Sequence, residues 1–234
     1  MLEVQRLDAF YGKAHILHGL ALTLAARERV SVLGRNGAGK STLLKSLMNA
    51  GPIVNGGVKL DGKELDDISA SDRVRLGMSL VPEDRRIFTH ITVAENIRLA
   101  QIGTERASGL PTIDEVVAKF PLLRDLLNRP GGQLSGGQQQ VLAVARSIAA
   151  RPRLMLLDEP TEGLAPVIVE DLAEKIVEAC DAYGIALLLV EQSVWFARQC
   201  TSRVMVLDSG ALVFSGSWDD FDASASLLER YLAI

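Results

Sequence analysis

The sequence predicts an α/β protein built on a mainly parallel core sheet, with an antiparallel β-subdomain at its N-terminus and a helical subdomain inserted in its middle. Three observations carry that expectation. Short apolar runs such as RVSVLG, LMLLDEP and IALLLVEQS have the texture of strands buried on both faces, as a parallel sheet requires. The first of them passes through a glycine-rich loop into a helical pattern. The other two flank the helical stretch VIVEDLAEKIVEACDAYG, which makes a βαβ unit.

The elements follow in order. LEVQRLDAFY and HILHGLALTLA alternate apolar and polar residues and read as antiparallel strands with one solvated face. RVSVLG reads as a central strand, and RNGAGKSTLLKSLMNA gives a helix carried by Leu43, Leu44, Leu47 and Met48. From Pro82 to Arg151 the texture changes to TVAENIRLAQI and TIDEVVAKFPLLRDLL, punctuated at Gly109, Pro111, Pro121 and 130–132. Residues 82–151 are therefore expected to form the helical insertion, with 1–81 and 152–234 forming the core and its β-subdomain. RVMVLDSGALVFSG closes as a hairpin across Ser209 and Gly210, and a short amphipathic helix is expected to end the chain.

With 234 residues, 48% of them hydrophobic, the chain can bury one substantial core and a smaller subdomain beside it. The formal net charge of -4 gives no overall electrostatic pull toward nucleic acid or anionic lipid and leaves only a local basic patch open. Cys180 and Cys200 form neither a disulfide framework nor a Cys/His cluster, so a reducing, intracellular setting is expected. The first residues lack the pattern of a signal peptide, and no apolar run approaches the roughly 20 residues of a membrane span. Any membrane role has to be borrowed from a partner.

GRNGAGKS, which is Gly34, Arg35, Asn36, Gly37, Ala38, Gly39, Lys40 and Ser41, satisfies G-x-x-x-x-G-K-[ST] between a strand and a helix. The glycines let backbone N–H groups curl around phosphate oxygens, the helix N-terminus adds its positive end, and Lys40 supplies a point charge. Ser41 offers a hydroxyl to Mg²⁺. LMLLDEP places Asp158 and Glu159 at the carboxyl end of a strand that could lie beside this loop, Asp158 suited to hold Mg²⁺ and Glu159 to polarise an attacking water. LSGGQQQ gives a capping box of Ser135 and Gln138, with Gly136 and Gly137 leaving first-turn amides open to a second anion. Glu191, Gln192 and Ser193 follow the apolar strand LLLV, either to start a loop and cap the next helix or to face a ligand.

GRNGAGKS, LSGGQ and LMLLDEP in this order resemble the nucleotide-binding subunits of ATP-binding cassette (ABC) transporters over essentially the whole chain, which implies the P-loop NTPase fold of ABC ATPases. The resemblance implies ATP and Mg²⁺ as ligands, and it extends the phosphate-binding set to Thr42. It also implies a head-to-tail dimer, with itself or a sister ATP-binding subunit, in which Leu134, Ser135, Gly136, Gly137 and Gln138 complete the ATP site of the other copy. Tyr11, in AFYGK, matches the aromatic that stacks on adenine. LVPEDRRIFTHITVAENI, DEPTEGLAP and LVEQS look like an ATPase subunit of branched-chain amino acid importers, or of the similar urea importers. That likeness implies membrane permease subunits, an extracytoplasmic solute-binding protein and a cytoplasmic position on the inner face of the membrane. Two other readings are a soluble ABC protein that switches its grip on a macromolecule and a nucleotide-binding subunit that does not hydrolyse.

The chain departs from the common family pattern at three positions. Glu83 stands where most members have a glutamine that contacts Mg²⁺ and the permease, and Gln192 stands where most have a histidine reaching the γ-phosphate. Ala165 replaces an aspartate that contacts the partner subunit. As a carboxylate, Glu83 can ligate Mg²⁺; as an amide, Gln192 can donate an N–H to phosphate without titrating. His15, His18 and His90 read as structural or surface residues.

Overall fold

The computed structural model describes residues 1–102, 109–224 and 231–232. The chain opens with β1 (Leu2–Tyr11) and β2 (Ala14–Leu24), an antiparallel pair as their alternation requires, and β1 buries Leu2, Val4, Leu7 and Ala9. β3 (Arg29–Leu33) then leads into α1 (Lys40–Leu47). Next come β4 (Ile53–Leu60), β5 (Lys63–Glu64), α2 (Ala70–Arg75) and β6 (Met78–Val81). Between β6 and the next core strand lie α3 (Val93–Gln101), α4 (Ile113–Lys119), two short 3₁₀ turns and α5 (Gly136–Ala149). The remainder is β7 (Leu154–Asp158), α6 (Pro166–Tyr183), β8 (Ala186–Glu191), α7 (Val194–Cys200), the hairpin β9 (Arg203–Asp208) and β10 (Ala211–Ser217), and α8 (Trp218–Asp222). The rest of the terminal stretch, 225–230 and 233–234, on which the expected final helix also falls, lies outside the described residues.

Two sheets result. The smaller has the order β2-β1-β4-β5 and is antiparallel; the larger has the order β10-β9-β3-β8-β7-β6 and is parallel from β9 to β6, with β10 antiparallel at its edge. Period-two alternation along the buried strands splits their side chains between two cores. Leu154, Leu156, Leu188, Val190 and Met205 face one core, shared with α1 and the small sheet. Met155, Leu157, Leu187, Leu189 and Val204 face the other, shared with α5, α6 and α7. A strand covered on both faces has to be apolar at every position, which is why LMLL and LLLV read as unbroken runs.

One helix-forming stretch breaks at Pro121, the position where the sequence punctuates it. TIDEVVAKFPLLRDLL ends as α4 at Lys119, and a 3₁₀ turn takes over at Pro121–Leu126. Pro121 disfavours helical geometry at the residue before it and supplies no N–H, so Phe120 sits at φ -119°, ψ 72°. Thr92 with Glu95 caps α3, and Thr112 with Glu115 caps α4, by reciprocal side-chain and backbone bonds. Buried Asn96 pins the segment leading into α3, donating to the carbonyls of Phe88 at 2.9 Å and Thr92 at 3.0 Å and accepting from Phe88 N at 2.9 Å.

Candidate functional site

The carboxyl ends of β3, β7 and β8 bring the phosphate-type loop, the acidic pair and Gln192 together. Residues 34–39 leave β3 and turn into α1 with Gly39 as N-cap in left-handed geometry, φ 106°. At Gly39 the left-handed backbone disfavours any L side chain, and a Cβ at Gly34 would stand 2.4 Å from the backbone atom Leu207 O, so both positions select glycine. Lys40 curls back beneath the loop, donating to Gly34 O at 2.7 Å and Arg35 O at 3.0 Å. The loop is also held from outside, because Gly210 N in the β9–β10 turn donates to Ala38 O at 2.9 Å. Nothing in the local sequence marks Gly210 for that role.

β7 is not the neighbour of β3; β8 lies between them. The two carboxylates nevertheless reach the loop. Asp158 Oδ1 accepts from Ser41 Oγ at 2.9 Å, and Glu159 Oε1 lies 3.0 Å from Lys40 Nζ. Burial pushes the Asp158 carboxyl above its ordinary range against the opposing bond from Ser41, with the Glu159 charge adding to the rise. Glu159 itself occupies left-handed backbone, φ 43°, fixed by its N–H donating to Val190 O at 3.0 Å.

The three polar residues after LLLV divide between the two expectations. Glu191 is buried and accepts from Thr161 Oγ1 at 2.6 Å, Gln192 N at 2.8 Å and Ser193 N at 3.0 Å, tying the end of β8 to the segment after Glu159. Its carboxyl is raised by burial in spite of those bonds. Ser193 caps α7 by accepting from Phe196 N at 3.3 Å. Gln192 alone faces the site: its Nε2 donates to Glu159 Oε2 at 2.5 Å and to Asn36 Oδ1 at 2.7 Å.

Glu83 lies on the acidic side of the cleft. Its carboxyl is raised first by a hydrogen bond with the Glu162 side chain, then by burial and by the charges of Glu162, Asp158 and Glu159. Glu162 was not foreseen because its spacing from Glu83 carries no motif. Tyr11, half exposed at the end of β1, lines one cleft with Ile16, Lys40, Thr42, Glu83 and Glu159. Leu134 to Gln138 do not line it. They begin α5, where Ser135 Oγ accepts from Gln138 N at 3.3 Å and Gln138 Oε1 accepts from Ser135 N at 2.9 Å. Gly136 packs under the Arg85 guanidinium and Gly137 under Ile168, so the open helix start is walled by residues that the sequence did not single out. The histidines stay on the surface, with His15 Nε2 2.8 Å from Asp8 and stacked on Phe10.

Residues 17–162 match the ABC transporter family, which is more than half the chain and includes the loop, the α5 start and the acidic pair. The chain belongs to the ABC transporter family. It is 36% identical over 97% of its length, and 95% of the relative's, to the high-affinity branched-chain amino acid transport ATP-binding protein BraG of Pseudomonas aeruginosa. It is 34% identical over 93% of its length, and 92% of the relative's, to the probable branched-chain amino acid transport ATP-binding protein LivF of Archaeoglobus fulgidus. A solved ATP-binding subunit of an ABC transporter superposes with a TM-score of 0.82 at 26% identity, covering 100% of this chain and 96% of that one. An ATP-binding cassette dimer in a post-hydrolysis state with ADP and Pi shares the fold at TM-score 0.81 and 24% identity, over 93% of this chain and 98% of that one. The fold is thus that of an ABC ATPase, the P-loop arrangement expected from the motifs.

Proposed function

We propose that this chain binds and hydrolyses ATP to power uptake of a branched-chain or other hydrophobic amino acid through separate membrane permease subunits. The observation that carries the chemistry is the convergence of Lys40, Ser41, Asp158 and Glu159 through contacts of 2.9 and 3.0 Å at one end of the parallel sheet. The substrate class rests on the relatives, whose names give amino-acid transport, and this favours it over urea uptake or a soluble role.

In this reading Tyr11 stacks on adenine, the 34–39 amides and the Thr42 end of α1 surround the phosphates, and Lys40 bonds their outer oxygens. Among the described residues no three acidic, histidine or cysteine side chains converge to hold a metal by themselves. Ser41 and Asp158, with Glu83 beside them, are oxygen donors that suit Mg²⁺ once nucleotide phosphates complete its shell. Bound there, Mg²⁺ would neutralise charge on the transferring phosphoryl group. Glu159 accepts the proton of the attacking water, and Gln192 donates an amide N–H to the γ-phosphate.

Because Leu134 to Gln138 lie away from the Tyr11 cleft of their own chain, they serve the nucleotide of a second copy or a sister subunit in a head-to-tail dimer. Residues 82–151 form the helical unit that carries them. No helix among the described residues is long and apolar enough to cross a membrane. The chain then sits on the cytoplasmic face through its permease partners, with a solute-binding protein delivering substrate on the other side. Single-turnover hydrolysis by the purified dimer or complex tests the assignment of Glu159. Glu159→Gln should keep ATP binding and lower the rate by about two to four orders of magnitude; an unchanged rate would remove Glu159 as the base.

A further inference from the structure

Lys40 and Glu159 form an ion pair at the head of the phosphate-type loop. The Lys40 side chain is 3% exposed and that of Glu159 10%, so this 3.0 Å ion pair is largely removed from water. The second carboxylate oxygen of Glu159 is held by Gln192 Nε2 at 2.5 Å. The same amide nitrogen also donates to Asn36 Oδ1 at 2.7 Å, so both of its protons are committed and its orientation is set. Glu159 is thereby tied to the phosphate loop at two points, through Lys40 beneath it and through Gln192 to Asn36 at its rim.

Resting on the reading of Glu159 as the base of ATP hydrolysis, we propose that Gln192 and Asn36 are positioning residues that park Glu159 on Lys40 until nucleotide arrives. Lys40 has three donors, and Gly34 O, Arg35 O and Glu159 Oε1 already take them. A phosphate oxygen can bond Lys40 only by displacing one of these acceptors. The two carbonyls belong to the loop's own fold, so Glu159 is the group that leaves. Its departure from Lys40 coincides with the arrival of the phosphate beside which it must act, and it frees Gln192 to turn its amide toward the new anion. Phosphate and Glu159 therefore compete for one Lys40 donor. An amide suits this link in either charge state of the surroundings, because it carries two donors on one nitrogen and does not titrate.

Equilibrium binding of ADP without Mg²⁺ tests the proposal, because neither hydrolysis nor metal contributes to it. Gln192 is exposed on a loop, so Gln192→Ala leaves the core untouched. Losing one charge-assisted hydrogen bond that opposes phosphate entry should tighten ADP by about five-fold. Glu159→Ala, which vacates Lys40 altogether, should tighten it by about ten-fold or more. In the Glu159→Ala background the Gln192→Ala change should add almost nothing, since both act through one link. A purely structural role for Gln192 predicts weaker binding instead. Unchanged or weaker ADP binding in Gln192→Ala, or an equal effect in both backgrounds, overturns the parking role while leaving ATP hydrolysis standing. Failure of the unaltered chain to bind ADP overturns both.

Discussion

In the proposed mechanism Gln192 takes, at the end of β8, the role that the family resemblance gives to a histidine. An imidazole titrates near pH 6.5, whereas an amide is a donor at every working pH. The ATPase rate of the assembled protein should therefore show no inflection near that value that depends on residue 192, and Gln192→His should introduce one. An inflection in the unaltered protein that vanishes in Gln192→Ala would contradict the amide role. At this scale the sequence was most legible where chemistry is encoded in short spacing: Lys40, Ser41, Asp158, Glu159 and the Ser135–Gln138 box all stand where their motifs put them. The site contacts of Glu162, Gly210 and Arg85 were illegible because their partners, Glu83, Ala38 and Gly136, are brought to them only by the folded chain.

Each element draws its stability from a different source, and substitutions separate them. β7 is fully buried, and Leu156 at 0% exposure fills the core shared with α1. Leu156→Ala should cost about 2–5 kcal/mol through lost transfer energy and an unfilled cavity. Ser135→Ala removes only a cap at the start of α5 and should cost about 1 kcal/mol. Thermal melts of the two variants check the contrast, since about 1 kcal/mol moves the midpoint of a chain this size by roughly 2–4 °C. Equal shifts would mean that the capping box is more than local. The sequence read β3, β7 and β8 from their apolar runs, and the hairpin from Ser209 and Gly210. It did not reveal that β4 completes the small sheet against β1, because IVNGGVKL carries glycines and lysine on a partly solvated strand and shows neither clean alternation nor a buried run.

For the whole molecule, the parallel sheet sets the carboxyl ends of β3, β7 and β8 at one rim, so residues distant in the chain share one cleft. Leu134–Gln138 lead into α5 and do not line that cleft; in the proposed head-to-tail dimer they reach the cleft of the second subunit. The proposed function divides the labour: this chain supplies the energy, and the permeases supply passage and contact with the solute. The direct test is uptake of labelled leucine into vesicles that hold the partner permeases, with the solute-binding protein outside and this chain and ATP inside. Leucine should accumulate with ATP, and Glu159→Gln should abolish accumulation while the complex stays assembled and still binds ATP. Accumulation that persists undiminished with Glu159→Gln, or ATP hydrolysis by the intact complex that moves no branched-chain amino acid, would contradict the account.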